Sequence, residues 1–342
     1  MKKSQNKTRV LETGGKFEFL LKEDGFEAQM NDIAEPYLSE HRMSGELEHG
    51  GMRLYYELYT IKNPQGTVVF SFGFTESCVK YYEFLYYLLR SGYQCAIMDH
   101  RGHGRSAREG KDPNVVHVRR FQDYVEDLHQ FVEYLKGAAA EGVQAACPLY
   151  LYGHSMGGCI AAEYLEAYPD DFDRAILNAP MLGLKLGGCP PWAAALLCDI
   201  NILAGRGERR LFYQHDFNAR EPFEGSSAGS RARFDYYLAI RCAEPAFQTS
   251  SASYRWAREA IRAGRKVCRK REAGKVKIPV LLFQAGDDTL VKNRAQEKFA
   301  ERIEHGNLIH VPAARHEIYR SGNKILEPYM AAVVEFFREK YN

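Results

Sequence analysis

The hexapeptide Gly153-His154-Ser155-Met156-Gly157-Gly158 constrains this chain more than any other segment. It follows the apolar run Leu149 to Tyr152, which has the length of a buried strand, and precedes the small-residue stretch Cys159-Ile160-Ala161-Ala162, which suits a closely packed helix. A serine between such a strand and helix sits on a very tight turn. The glycines two positions either side let the neighbouring backbone pass where a Cβ would clash. Ser155 is thereby placed at the carboxyl edge of a sheet and at the start of a helix, whose first amides favour developing negative charge. The bare G-x-S-x-G pattern is common in a chain rich in Gly and Ser, so its specificity comes from this strand-turn-helix context.

Further apolar runs of strand length are Thr67 to Phe72, Gln94 to Asp99, Ala175 to Leu177, Val280 to Gln284 and Leu308 to Val311. Helical spacing of apolar residues appears in Val79 to Leu89, Val118 to Leu135, Gly157 to Tyr168, Asn293 to Ile303 and Ile325 to Lys340. Alternation of this kind predicts an α/β fold with a mostly parallel sheet and helices on both faces. Leu47 to Ile61 alternates about His49-Gly50-Gly51 and predicts an antiparallel hairpin. The alternation stops near Met181 and resumes near Ile278. The expected organisation is a peripheral segment 1–43, a first core part 44–181, an inserted, mainly helical cap 182–277 and a second core part 278–342.

Net charge is small, 46 − 44 = +2, and beyond Met1-Lys2-Lys3 there is no basic tail, which argues against nucleic acid as a partner. The charge is nonetheless polarised. From Gly205 to Lys275 there are 16 Lys+Arg and 8 Asp+Glu, 16 − 8 = +8, leaving 2 − 8 = −6 elsewhere. Arg255, Arg258, Arg262, Arg265 and Lys266 recur at helical spacing and could face anionic lipid or a substrate phosphate, or simply water. The eight scattered cysteines include no C-x-x-C pair, as expected for reduced thiols in the cytoplasm. The first thirty residues lack the apolar run of a secretory signal, and Cys189 to Ala204 is too short and interrupted to span a bilayer.

A serine nucleophile needs a base, and the base an orienting acid; on a sheet of this type they follow in the order Ser, Asp or Glu, His. Val280 to Gln284 ends in Ala285-Gly286-Asp287-Asp288-Thr289-Leu290-Val291, where Asp288 is the expected acid, with Asp287 the competitor. His316 follows the last strand and is the expected base. His310 falls within a strand, His100 and His103 in a loop and His154 inside the turn, where structural roles are commoner. An acyl oxyanion would require two backbone N–H donors. Met156, next to the serine, is one candidate, and Phe74, in the loop Ser71-Phe72-Gly73-Phe74-Thr75-Glu76-Ser77, is the other.

These residues resemble the α/β-hydrolases, and within them the monoacylglycerol-lipase and lysophospholipase branch of the serine hydrolases. The resemblance covers about Leu47 to Phe337 and rests on the hexapeptide, on Asp99-His100-Arg101-Gly102-His103-Gly104-Arg105-Ser106, on Ala285 to Val291 and on Ala314-Arg315-His316-Glu317. Similarity to bacterial lysophospholipases is carried by Glu76-Ser77-Cys78-Val79-Lys80-Tyr81 and by Tyr254-Arg255-Trp256-Ala257-Arg258-Glu259-Ala260-Ile261-Arg262-Ala263-Gly264. Where the broader lipase group usually has His-Gly, this chain has Phe72-Gly73. The resemblance implies hydrolysis of a carboxylic ester through an acyl-enzyme, with a lysophospholipid or monoacylglycerol as small-molecule substrate. It implies no metal or cofactor, and contact at most peripheral with an anionic inner membrane face. An aminopeptidase of the same fold and a non-catalytic binding protein are the alternatives.

Overall fold

The computed structural model describes residues 7–12, 14–137 and 147–339; Met1-Lys2-Lys3 and Lys340, the end of the expected last helix, lie outside the described residues. In chain order, β1 (Thr8–Val10), α1 (Phe26–Gln29) and α2 (Glu35–His41) lead into the hairpin β2 (Arg42–His49) and β3 (Met52–Tyr59). Alternating elements follow: β4 (Thr67–Ser71), α3 (Tyr82–Arg90), β5 (Gln94–Met98), the short β6 (Val115–Val116), α4 (Gln122–Lys136), β7 (Leu149–His154), α5 (Ser155–Ala167) and β8 (Arg174–Asn178). The insert contributes α6 (Pro191–Leu203), α7 (Arg231–Ala243), β9 (Ser251–Ala252), α8 (Tyr254–Val267) and α9 (Lys270–Ala273). The chain then closes with β10 (Val280–Ala285), α10 (Asn293–Ala300), β11 (Gly306–Val311) and α11 (Asn323–Arg338).

Nine strands form one sheet in the order β1-β11-β10-β8-β7-β4-β5-β3-β2. It is parallel from β1 to β5, and the hairpin joins it antiparallel through β3. This is the α/β architecture expected from the sequence. Strands β4, β5, β8 and β10 are buried at every residue, which requires apolar cover on both faces. One face packs against α4, α5 and α8 through residues such as Leu128, Ile160 and Trp256, the other against α3 and α11 through Phe84, Leu88 and Val333.

Two sequence readings need correction. The hairpin starts at Arg42, paired with Tyr59, rather than at Leu47, and turns through the left-handed Gly50 and Gly51. The segment before it is more than peripheral. Phe17, Leu21, Phe26, Met30, Ala34 and Leu38 are buried in the second core face, and β1 is the edge strand beside β11. Their four-residue recurrence from Phe26 to Leu38 is helical, but interleaved acidic residues mask it.

The insert is stitched to the core. Helix α8 starts with the Ser253 hydroxyl accepting Trp256 N–H at 3.1 Å. It runs so close to the chain leaving the sheet that a Cβ on Gly264 would lie 3.1 Å from Leu182 O. β9 pairs with β6, and Leu184 bridges Val291.

Candidate active site

Strand β7 lies at the centre of the sheet, so the turn at its carboxyl end has β4 and β8 on either side. Ser155 there has φ 51, a left-handed conformation costly for a side chain bearing a Cβ. The flanking glycines explain how the turn closes. A Cβ on Gly157 would lie 2.0 Å from Ser71 O and 2.4 Å from Phe72 O, and one on Gly153 would lie 2.9 Å from Gly157 O. The sequence reading has Ser155 projecting at the sheet edge; it is 9% exposed, at the floor of a cavity of about 200 Å³ partly walled by the insert.

The structure brings Ser155, His316 and Asp288 together. His316 Nδ1–H donates to Asp288 Oδ2 at 2.6 Å, and Ser155 Oγ–H donates to His316 Nε2 at 2.8 Å. An ionised carboxylate only accepts, so Asp288 places the imidazole proton on Nδ1 and leaves Nε2 free to take the serine proton. Asp288 is itself held, its Oδ1 accepting Leu290 N–H at 2.8 Å and Val291 N–H at 3.0 Å. Burial alone would raise its pKa, but the His316 hydrogen bond and these amides outweigh burial and hold the carboxyl below its usual range. The neighbouring Asp287 is exposed. Residues 223–228 hold both flanks of the histidine: Arg315 donates to Phe223 O at 3.0 Å and Ala228 O at 3.1 Å, and Glu317 N–H to Ser227 O at 3.0 Å.

The β4/β7 register pairs Ser71 with Gly153, which sets the loop Gly73-Phe74 beside Ser155, and Phe74 lines the same cavity. Among the described residues, neither Phe74 N–H nor Met156 N–H donates to a protein acceptor. The Phe74 ring packs against Trp256 of α8 in a tilted arrangement, with centroids 4.1 Å apart and planes at 38°.

Sequence reasoning missed what holds this loop. The buried Glu76 carboxylate accepts Gly73 N–H at 2.6 Å, Tyr81 OH at 2.8 Å, Lys80 Nζ at 2.7 Å and Tyr319 OH at 3.1 Å. Lys80 also donates to Glu317 at 2.7 Å, and Arg320 to Glu317 at 2.6 Å. Burial raises Glu76, yet Lys80 and His154 beside it hold it down to about 2. The signal available was local: Glu76 lies three residues after Gly73, and Glu317 directly after His316. Their meeting across some 240 residues was not available.

The other histidines stand apart from the triad geometry. Burial lowers His154 to about 4, so it is neutral, and its Nδ1 accepts from Asn178 Nδ2 at 2.8 Å. His100 Nε2 lies 3.2 Å from Ser71 Oγ, beneath the strand that carries the loop. His310 Nδ1 faces Gln284 Oε1 at 3.1 Å. Asp99 accepts Cys78 N–H and Arg105 N–H, both at 2.8 Å, tying its own loop to the segment after Glu76. Among the described residues His129, Glu133 and Asp171 form the one group spaced to hold a metal ion, and Asp171 already accepts Tyr164 OH and Lys136 Nζ.

The expected basic face of α8 is largely neutralised: Arg258 pairs with Asp199 at 2.8 Å, Arg262 with Glu259 at 3.5 Å and Lys266 with Glu163. No helix among the described residues is long and apolar enough to cross a membrane.

Comparison with known proteins places this geometry in context. The family model described as serine aminopeptidase, S33, matches residues 62–322. Lysophospholipase L2 of Escherichia coli K12 is 32% identical over 289 residues, 79% of this chain and 79% of that protein. The monoacylglycerol lipase of Mycolicibacterium smegmatis is 27% identical over 284 residues, 82% of this chain and 91% of its own. A soluble variant of the Saccharomyces cerevisiae monoglyceride lipase, solved with a substrate analog, superposes with a TM-score of 0.68 at 20% identity, over 86% of this chain and 94% of that one. By the span of the family match and the identity to the Escherichia coli relative, the chain belongs to the serine aminopeptidase S33 family of the α/β-hydrolase superfamily.

Proposed function

We propose that the protein is a carboxylic-ester hydrolase of the lipase type that cleaves a lysophospholipid or a monoacylglycerol through an acyl-enzyme on Ser155. The observation that carries the reading is the unbroken hydrogen-bonded line from Asp288 through His316 to Ser155. In the first half-reaction Ser155 Oγ bonds to the acyl carbon while its proton passes to His316 Nε2. The carbonyl oxygen becomes an oxyanion facing the N–H groups of Phe74 and Met156, and collapse breaks the bond to the alcohol, which leaves with the proton from His316. Water then adds to the acyl carbon, gives a proton to His316, and the fatty acid departs as Ser155 recovers its hydrogen. Residues 182–277 act as the cap over this cavity.

The family's description raises peptide hydrolysis from a free amino terminus, which needs a carboxylate to hold an ammonium. The carboxylates lining the cavity are already paired, Glu76 with Lys80, Glu317 with Lys80 and Arg320, and Glu221 with Arg241 at 3.6 Å. This favours an ester. Eight free thiols suit a reducing, cytoplasmic compartment, and we place the enzyme beside an anionic lipid surface that supplies such substrates.

The test is a fluorophosphonate probe followed by a panel of lysophospholipid, monoacylglycerol, short-chain ester and aminoacyl anilide. The probe should label wild type and not Ser155→Ala, and the two lipids should turn over fastest. Anilide hydrolysis without ester turnover would reverse the assignment. An unlabelled wild type would make the chain a binding protein.

A further inference from the structure

We infer that the cleft between residues 108–120 of the core and residues 202–210 of the insert binds a soluble oligophosphate anion, which pins the insert to the core. The inference stands apart from the ester reading, and its test uses no substrate.

The cleft measures about 1430 Å³, and among the described residues it shares no lining residue with the catalytic cavity. Seven arginines and lysines line it against three carboxylates, 7 − 3 = +4. Pairing within the fold does not cancel that surplus. Glu109 is engaged by Arg101 at 2.6 Å and Asp112 by Arg210 at 3.3 Å, which leaves the exposed Glu208 as the one lining carboxylate without a cation. Lys111, Arg209 and Arg255 have no carboxylate partner among the described residues. Arg108 meets only uncharged oxygens, donating to Gly104 O at 2.7 Å, Ser106 O at 2.6 Å and Ala246 O at 3.0 Å. Of the five basic residues expected along α8, Arg255 alone lines this cleft.

Charge alone would suit a solvated face, but a buried donor also opens here. His117 lines the cleft and is only 5% exposed. Its Nδ1 lies 3.0 Å from Ser253 Oγ, and that fully buried hydroxyl already accepts Trp256 N–H at 3.1 Å. Among the described residues His117 Nδ1 is the only acceptor for the hydroxyl proton, so the ring's own proton stands on Nε2. Burial lowers the pKa of His117 and keeps the ring neutral in that tautomer. With Nδ1 turned to Ser253, Nε2–H is the donor left for the cleft. It has no acceptor among the described residues and is not sealed from solvent. A donor so placed, beside unpaired guanidinium groups, is met by an anionic oxygen.

The lining selects among anions. Lys111 and His117 belong to the core wall, Arg209 and Arg255 to the insert wall, and cations on both walls favour several linked phosphates over one. Guanidinium groups match paired phosphate oxygens. Among the described residues no Phe, Tyr or Trp lines the cleft, so a nucleobase finds no ring to stack on, and the phosphate chain is what is recognised. A phosphate fixed in the plane of a bilayer is held back from a ring as buried as His117, whereas a soluble chain of phosphates enters. The two walls meet along a thin seam: β6 pairs with β9 over two residues, Arg210 bridges Ser253, and Arg255 N–H donates to Gly207 O at 3.0 Å. An anion held by both walls strengthens that seam. It also steadies α8, where Trp256, next to Arg255, packs against Phe74.

The test is titration calorimetry of the full-length protein at low salt with tripolyphosphate, orthophosphate and glycerol 3-phosphate, the last standing for a lipid headgroup. Tripolyphosphate should bind one to a chain, about tenfold or more tighter than either monophosphate, and at saturation it should raise Tm by several degrees. Lys111→Gln/Arg209→Gln/Arg255→Gln should weaken it about 100-fold. Arg262→Gln/Arg265→Gln/Lys270→Gln removes as many exposed charges elsewhere on the insert and should change binding less than about threefold. His117→Leu should weaken binding about tenfold. If that variant does not fold, the wild-type His117 Nε2–H resonance in histidine-labelled protein should move on adding tripolyphosphate. Tripolyphosphate bound no tighter than glycerol 3-phosphate would make this a headgroup site and overturns the inference. So does an equal loss in the two triple variants, which would reduce binding to the insert's overall charge. A Tm indifferent to saturating tripolyphosphate overturns it as well.

Discussion

Replacing Asp288 by Asn should cost far more than the charge it removes. Its two oxygens do different work, Oδ1 accepting the Leu290 and Val291 amides and Oδ2 accepting His316 Nδ1–H. An asparagine must keep its single oxygen on the two backbone donors, because turning it would point an NH₂ at two N–H groups. The amide NH₂ then faces His316, Nδ1 becomes the acceptor, and Nε2 carries the proton. A histidine in that tautomer donates to Ser155 Oγ and cannot take its proton. The expected loss in kcat is about 10⁴-fold, or about 5 kcal/mol at 1.36 kcal/mol per tenfold. The assay is steady-state hydrolysis of a p-nitrophenyl short-chain ester, with the exposed Asp287→Asn as internal control, expected within twofold of wild type. Turnover of Asp288→Asn within tenfold of wild type would refute the reasoning, and so would a larger loss in Asp287→Asn, which would shift the acid by one residue.

Glu76→Gln leaves one oxygen for four donors and sets an NH₂ against them, so the Gly73-Phe74 loop should slacken. We expect kcat to fall about 100-fold with KM within a few fold, since an oxyanion donor acts in the transition state; a KM-dominated loss would give Glu76 a role in binding instead. Gly157→Ala drives a Cβ into two backbone oxygens that no rotamer change can move, and should lower stability by about 3 kcal/mol, read from urea denaturation. Glu166, raised to about 9 by burial and by Glu163, has neither oxygen hydrogen-bonded. Its folded form keeps a proton that the unfolded chain releases above about 4.5, so this site's contribution to stability falls as pH rises from about 4.5 to about 9. Glu166→Gln should therefore raise Tm by about 2 °C or more at pH 9 and less at pH 5; equal shifts at both would show that the carboxyl ionises freely.

What could be read from the sequence was whatever strain or edge position imposes locally. Ser155 needs glycine at 153 and 157 because backbone passes within van der Waals reach there, and that need is written in the order of residues. Asp288 and His316 were legible because the apolar runs Val280 to Gln284 and Leu308 to Val311 locate the sheet's carboxyl edge. The loop brace was not, since Glu76, Lys80, Glu317, Arg320 and Tyr319 form one charged cluster only after strands far apart in the chain are laid side by side. The insert's charges could not be sorted for a related reason. Arg258, Arg262 and Lys266 look alike in one dimension to Arg209, and only packing reveals that each has an acid against it while Arg209 has none among the described residues.

The burial of residues 17–38 against the sheet bears on how the protein can be produced. The family match ends at residue 322, and a fragment cut to 62–322 would lack both that segment and α11. It would uncover Tyr152 of the elbow strand, whose hydroxyl meets Tyr329 at 2.8 Å, and would free Ser230 Oγ, which donates to Glu23 at 2.6 Å. With Leu38, Leu326, Met330 and Val333 gone, α3 alone would remain on that side of the sheet, and the part covered by α11 and residues 17–38 would face water. Such a fragment should collect in inclusion bodies with its serine, histidine and aspartate all present, so trimming to the shared family boundary would yield a false report of inactivity.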